Sequence, residues 1–157
     1  MTIAQGTPRW AVWTAWVASV SVIPSALWRT AAGFGAELGM PQAWRDAQQI
    51  PGPGTTYVLT LTVLTVLPAA GTLLLVHPLS DRFPRYLFVV PGVLVGILVL
   101  LICTMSTVAW NTIIGFAGMP EPAWYALATA AYLPAWLWGP CLLATVWAYW
   151  RRRSARH

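Results

Sequence analysis

Charged residues are scarce in this chain of 157 residues, of which aspartate, glutamate, lysine and arginine make up only 8%. An ordinary soluble domain has about 25%. Lysine is absent, so the nine cationic side chains are all arginines, against four acidic ones. Hydrophobic residues reach 58%, which is more apolar surface than a body of this size can bury. The composition therefore excludes a water-soluble globule and predicts a membrane protein.

Histidine and cysteine are also rare, with two of each. His77 and His157 lie at the edges of apolar runs, which argues against a haem held by two histidines inside a helix bundle. Cys103 and Cys141 are expected at depths too different for a disulfide. The sequence has no metal-ligand cluster, no Ser-His-Asp set and no phosphate-binding loop. We therefore expect no metal and no cofactor, and an enzyme is not the favoured interpretation.

Four long apolar runs organise the chain, and each is long enough to cross a hydrocarbon core of about 30 Å as a helix. The second run alternates locally like a strand, but four spans cannot close the barrel that strands need in lipid. The sequence thus predicts an all-α polytopic protein, a single domain of four transmembrane helices in a compact bundle. The predicted spans are residues 10–28, 57–76, 86–110 and 123–150, with a long loop over 29–54.

The arginines fall mainly on one side of these spans, and that side is expected to be cytoplasmic. Arg9, Arg82 and Arg85 share it with the C-terminal tail, while Arg29 and Arg45 lie on the other side. This places both termini in the cytoplasm, the protein in the cell membrane, and the 29–54 loop outside. The tail is predicted to serve as a topology signal and to hold anionic lipids. Its arginines are Arg151, Arg152, Arg153 and Arg156.

Small residues recur at helical spacing on the later spans, as is typical of membrane helices that approach closely. They predict packing within the bundle, with formation of a homo-oligomer as the alternative. The residues are Gly92, Gly96, Ala131, Ala135 and Gly139.

Every span also contains proline, which removes a backbone donor and predicts kinks. The segments Ile23–Trp28 and Leu133–Trp138 resemble each other around Pro24 and Pro134. Six residues are too few to establish a repeat. The remaining prolines are Pro68, Pro91 and Pro140.

Two candidate sites follow. The long loop holds a polar group of residues, and a short interfacial helix from Pro41 to Gln48 would turn Trp44 toward lipid or a pocket. The simpler interpretation, which we favour, is that Arg29 and Glu37 only cap and pair the end of the first helix.

A second candidate is an apolar pocket on the last span. The polar candidates are Arg29, Glu37, Trp44, Arg45 and Asp46, and the apolar ones are Pro134, Trp136 and Trp138.

Two stretches resemble motifs of uncharacterised small four-helix integral membrane proteins of actinobacteria. One is Val22–Arg29 followed by Gly33 and Gly39, and the other runs from Tyr132 to Arg152. The resemblance implies the fold and the membrane location, and it brings no reaction or substrate.

The leading functional expectation is a non-catalytic accessory protein that packs against another membrane protein, because no reactive set of residues is present. The alternative is a carrier or binder of a hydrophobic small molecule or lipid near Trp136 and Trp138. A third is a membrane enzyme for a lipid or isoprenoid substrate, with Arg29, Glu37 and Asp46 at an outer mouth. The expected partners are the bilayer, another membrane protein or a second copy, and no nucleic acid.

Overall fold

The computed structural model describes residues 3–113, 119 and 121–155, with side chains described up to residue 105 in the third long helix. Within these residues the chain is helical and has no strand. The described elements are α1 (Arg9–Ser21), α2 (Ile23–Gly33), α3 (Gln42–Ala47), α4 (Pro53–Val76), α5 (Tyr86–Ile113), α6 (Pro122–Tyr132) and α7 (Trp138–Ser154), with 3₁₀ helices at Pro78–Arg82 and Leu133–Leu137.

Four helical segments are long and apolar enough to cross a membrane: α1 with α2, α4, α5, and α6 through α7. This confirms the predicted number of membrane-length helices. The first segment continues to Gly33 instead of ending at Trp28, so Arg29 lies within it. The loop expected to begin at residue 29 therefore begins only after Gly33. The second segment begins at Pro53, because proline suits the first turn of a helix.

Two of the four segments are interrupted part-way along, each beside a proline. The first breaks at Val22 between α1 and α2, just before Pro24. The fourth tightens into the 3₁₀ helix that contains Pro134, between α6 and α7. Pro68 and Pro91, in contrast, lie inside continuous helices. The two sequence stretches that resemble each other are thus the two stretches at which helices break.

Hydroxyl groups bind backbone carbonyls at the first break. Ser21 Oγ donates to Ala18 O at 3.1 Å, and Ser25 Oγ donates to Val22 O at 3.0 Å. Carbonyls left without a helical partner are costly in an apolar medium. Val22 O also accepts from Ala26 N at 3.0 Å, so the bond from Ser25 mainly satisfies the serine hydroxyl itself, a donor that is costly to leave unpaired in an apolar interior.

Close contact between α5 and α7 depends on glycine. A Cβ added to Gly92 would lie 2.6 Å from Val146 Cγ2, and one added to Gly96 would lie 2.6 Å from Leu143 Cδ2. Gly139 faces Leu100 in the same interface, at 3.0 Å for an added Cβ. The glycines that were predicted to pack helices thus contact another helix of the same chain.

Hydroxyls also link α1 to its neighbours. Thr14 and Thr145 share a hydrogen bond of 3.0 Å between α1 and α7. Ser19 Oγ donates to Ala69 O on α4 at 2.7 Å. Such interhelical bonds hold helices together in lipid, where the hydrophobic effect does not.

The bundle differs along its length. We call the end with residues 3–8, Ser154 and the Pro78–Arg82 helix the terminal end, and the end with Gly33, Pro53 and Pro122 the loop end. All buried residues of α4 lie in its half near the terminal end, from Ala69 to Val76. The core there joins α1, α4, α5 and α7, and it includes Val22, Leu142 and Tyr149. The half near the loop end encloses a cavity instead.

At the loop end, the predicted short helix is confirmed as α3, with Pro41 as the residue before its first turn. Gly39 precedes it with φ 68°, a conformation that favours glycine. A Cβ on Gly39 would lie 2.3 Å from Trp124 Cγ, so the loop is seated directly on α6. Between the third and fourth predicted spans, residues 111–113 belong to the end of α5 and Pro122 begins α6, whereas residues 114–118 and 120 lie outside the described residues.

Candidate functional site

A cavity of about 460 Å³ lies in the half of the bundle near the loop end. Its walls come from α2, α4, α5 and the interrupted fourth segment, and α3 with its flanking residues covers it at the loop end. The volume is within the range of small-molecule pockets, about 300–1,000 Å³. Six aromatic residues line it: Trp28, Trp44, Tyr57, Tyr132, Trp136 and Trp138.

Both helix breaks contribute to the cavity wall. Val22 and Ser25 line it from the first break, and Ala135 and Trp136 line it from the second. Interrupted helices in membrane proteins are tolerated where they line a cavity, and in transporters they frame substrate sites. The location of the two breaks therefore indicates a binding site and not a defect of packing.

Arg29 brings a positive charge into this cavity. Its Nε donates to Ser25 O at 3.2 Å, one turn back along α2, and its Nη2 donates to Thr65 Oγ1 at 2.9 Å. Side chains on a helix point toward its N-terminus, so the guanidinium reaches toward the middle of the bundle instead of the loop end. Thr65 itself lies near the middle of α4.

The charge of Arg29 is not balanced inside the cavity. None of the described lining residues is acidic, and none of the four acidic side chains lies within 4.0 Å of the guanidinium in the described part of the chain. A guanidinium has five N–H donors. Two of them make the bonds to Ser25 and Thr65, which leaves three that bind no described residue.

The expected pairing of Arg29 with Glu37 is wrong. Glu37 lies 3.5 Å from Arg45 instead, and its side chain is 82% exposed. Arg29 cannot reach it because the helix carries the arginine side chain away from the loop. Asp46 accepts a hydrogen bond from Gln42 Nε2 at 2.9 Å. Glu37 and Asp46 are thus linked to each other in the loop through Arg45 and Gln42, and Arg29, the third charge of the enzyme hypothesis, lies apart from them.

A second hydrogen-bond donor lies at the cavity wall. Trp138 is only 5% exposed, and its Nε1 is buried without a hydrogen-bond partner among the described residues. A buried donor left without an acceptor costs about 1–3 kcal/mol. A ligand that brought an acceptor to this nitrogen would recover that cost.

The structure joins parts of the two predicted sites into one. Arg29 and Trp44 from the loop candidates line the same cavity as Trp136 and Trp138 from the last span. Glu37, Arg45 and Asp46 do not line it, and neither does Pro134. Proline at position 134 contributes indirectly, because it lies in the 3₁₀ turn that exposes its neighbours to the cavity.

The terminal end holds a charged cluster that sequence reasoning missed. Arg152, 8% exposed, donates through Nη2 to Asp81 Oδ1 at 2.9 Å and to Leu75 O at 3.3 Å. It also donates through Nη1 to Thr7 Oγ1. These contacts tie the N-terminal segment, α4 and the Pro78–Arg82 helix to the end of α7. Asp81 is the one acid in the sequence on the side that was predicted to be cytoplasmic, which carries seven of the nine arginines. A single acid among so many arginines was the sequence signal for an ion pair.

The other tail arginines have different surroundings. Arg151 lies over the ring of Trp147, 4.8 Å from its centroid. Arg153 donates to Asp81 O at 2.9 Å and to Phe83 O at 3.1 Å. Arg156 lies outside the described residues. A lipid-anchoring role for the tail stays a prediction, and Arg152 is turned into the protein.

No protein-family model, no curated protein and no solved structure matches this chain. The resemblance to small actinobacterial membrane proteins accordingly stays a prediction. The candidate site has to be interpreted from its own geometry.

Proposed function

We propose that this protein is a multi-pass membrane protein that binds a hydrophobic or amphipathic small molecule in the cavity between its helices. The observation that carries the proposal is the cavity itself, about 460 Å³ in volume and lined by aromatic and aliphatic side chains around one arginine. Ligand sites are commonly apolar clefts with a few polar groups that fix orientation. The role is that of a carrier or binder and requires no reactive side chain.

The other two functional expectations have less support. An enzyme that used Arg29, Glu37 and Asp46 together would need them at one mouth, and Glu37 and Asp46 do not line the cavity. An accessory role would use the outer surface of α5, where apolar side chains such as Leu94 and Leu98 are exposed. Contact with lipid accounts for such a surface without a protein partner.

We place both termini in the cytoplasm and the cavity in the outer half of the membrane, on the distribution of arginines. Single cysteines at Gln48 and Ser154, introduced after Cys103 and Cys141 are replaced by alanine, test this orientation. Gln48→Cys should react with a membrane-impermeant maleimide added to whole cells, and Ser154→Cys should react only after lysis. The reverse pattern would invert the orientation.

Native mass spectrometry of protein purified in a mild detergent tests the binding proposal. The wild-type protein should retain a small molecule of defined mass. Leu61→Trp, which fills the cavity from α4, should lose it, whereas Leu64→Trp should keep it because Leu64 points outward on the same helix and is 60% exposed. A wild-type protein free of ligand, or one that retains a second protein instead, would contradict the proposal.

A further inference from the structure

The cavity has a side opening between α4 and α5. Tyr57 on α4 is 64% exposed and Ile102 on α5 is 55% exposed, yet both line the cavity. Exposed side chains in the lining mark where the cavity borders the outer surface. Ile102 lies about 16 Å from the end of α5 at Ile113, at about 1.5 Å per residue, so this opening is at the depth of lipid chains.

The loop end of the cavity is partly closed. Met40 and Ile50, which flank α3, line the cavity there and are only 7% and 6% exposed. Gln48, which follows α3, also lines the cavity and is exposed at the loop surface. The cavity thus borders the loop surface as well as the surface of α4 and α5, which suits a molecule with a polar group and an apolar chain.

The charge in the cavity selects the chemistry of its occupant. Arg29 carries a full positive charge with three N–H donors that bind no described residue, in a cavity without a described acidic side chain. A cation in an apolar setting is costly unless it is paired. Guanidinium groups bind carboxylate and phosphate with two parallel hydrogen bonds. The matching group is thus an anion.

From these observations we infer that the occupant is an anionic membrane lipid. Its phosphate or carboxylate group binds Arg29, and its chain leaves through the opening between α4 and α5 into the bilayer. This inference rests on the proposed binding function and adds the class of ligand and the route by which it arrives.

Lipid preference tests the charge. Wild-type protein and variants are titrated with phosphatidylglycerol or with phosphatidylcholine of the same acyl chains, and bound lipid is counted by native mass spectrometry. Wild type should bind the anionic lipid at least about tenfold more tightly, the effect of one charge-assisted hydrogen bond. Arg29→Gln should reduce the preference to within about twofold. Arg45→Gln is the matched control, because Arg45 lies in the loop outside the cavity, and it should keep the preference.

The route is tested with two tryptophan variants on α5. Ile102→Trp narrows the opening and should slow uptake of phosphatidylglycerol from nanodiscs several-fold. Leu101→Trp is the control, since Leu101 is also 55% exposed but does not line the cavity, and it should leave uptake unchanged. Equal rates for the two variants would overturn the side route. Competition by water-soluble glycerol phosphate at millimolar concentration would overturn the lipid as the source of the anion.

These outcomes separate the inference from the proposed function. Equal binding of the two lipids by wild type, or an unchanged preference in folded Arg29→Gln, overturns the anionic class, while a retained neutral molecule would still support the binding function. If Arg29→Gln does not fold, Arg29→Lys keeps the charge and should keep the preference for the anionic lipid. Loss of preference in a folded Arg29→Lys would also count against the inference.

Discussion

Each end of the bundle contains an arginine away from solvent, and the two arginines have opposite surroundings. At the terminal end, Arg152 is surrounded by an acid, a carbonyl and a hydroxyl that all come from other parts of the chain. At the loop end, Arg29 binds only a carbonyl of its own helix and one threonine, and it faces a cavity. An arginine that is paired with an acid from another part of the chain, such as Arg152, stabilises the fold. An arginine without an acidic partner among the described residues, such as Arg29, keeps its charge for a ligand.

The largest effect should come from removing the acid at the terminal end. Asp81→Asn leaves Arg152 buried without a counter-charge, and breaking a buried pair costs about 3–5 kcal/mol. Because the Asp81 side chain is still 20% exposed, we expect a loss near the lower limit, about 3 kcal/mol, in reversible unfolding in mixed micelles. A loss below about 1 kcal/mol would be typical of a surface pair and would show that Arg152 does not hold the fold.

A smaller loss is expected when the packed interface beside the cavity is crowded. Gly96→Ala places a methyl group 2.6 Å from Leu143 Cδ2, and overpacking of this kind costs about 1–3 kcal/mol. Gly71→Ala is the control, because a Cβ on Gly71 would meet nothing within 4 Å and alanine favours the helix. If both variants are equally stable by thermal unfolding, α5 and α7 do not rely on glycine contact.

Arg29→Gln should change the stability of the ligand-free protein by less than about 1 kcal/mol. The variant loses two hydrogen bonds to neutral groups, but it also relieves an unpaired charge from an apolar setting. Unfolding of the delipidated variant, compared with that of Asp81→Asn, gives the direct test of the contrast. Loss of fold comparable to that of Asp81→Asn would make Arg29 a structural residue like Arg152.

The smallest effect should come from the Arg45–Glu37 pair in the loop, in which the Arg45 side chain is only 12% exposed. Glu37→Gln breaks a contact of 3.5 Å in which the acid is 82% exposed, and such surface pairs contribute about 0–1 kcal/mol. The variant should match wild type in thermal unfolding and in lipid retention. Loss of the retained molecule in this variant would show that Glu37 contributes to ligand binding, against its position outside the cavity.

Hydropathy predicted the four membrane-length helices, and the preference of proline for the start of a helix predicted the short helix after Pro41. Those features depend on local composition, which each segment carries by itself. The position of Arg29 could not be predicted in the same way. It required knowing that α2 extends past Trp28 to Gly33, so that the arginine projects back toward Ser25.

The Asp81–Arg152 pair was beyond sequence reasoning for a different reason. The two residues are 71 positions apart, and several other arginines on the same side of the sequence are equally plausible partners for Asp81 by charge. Only the packing of α7 against the Pro78–Arg82 helix decides between them. The two candidate sites merged for the same reason, because Trp44 and Trp138 meet one cavity only in the folded bundle.

The two interrupted helices also have a mechanical consequence. Bending a continuous helix stretches its ladder of hydrogen bonds, whereas a helix already broken beside a proline can bend there at little further cost. Both breaks border the cavity, and beyond them α2 and α6 contact each other through Trp28 and Trp124, whose rings are 6.4 Å apart. We therefore expect α2 and α6 to tilt together at the two breaks, and such a tilt would change the width of the cavity between them.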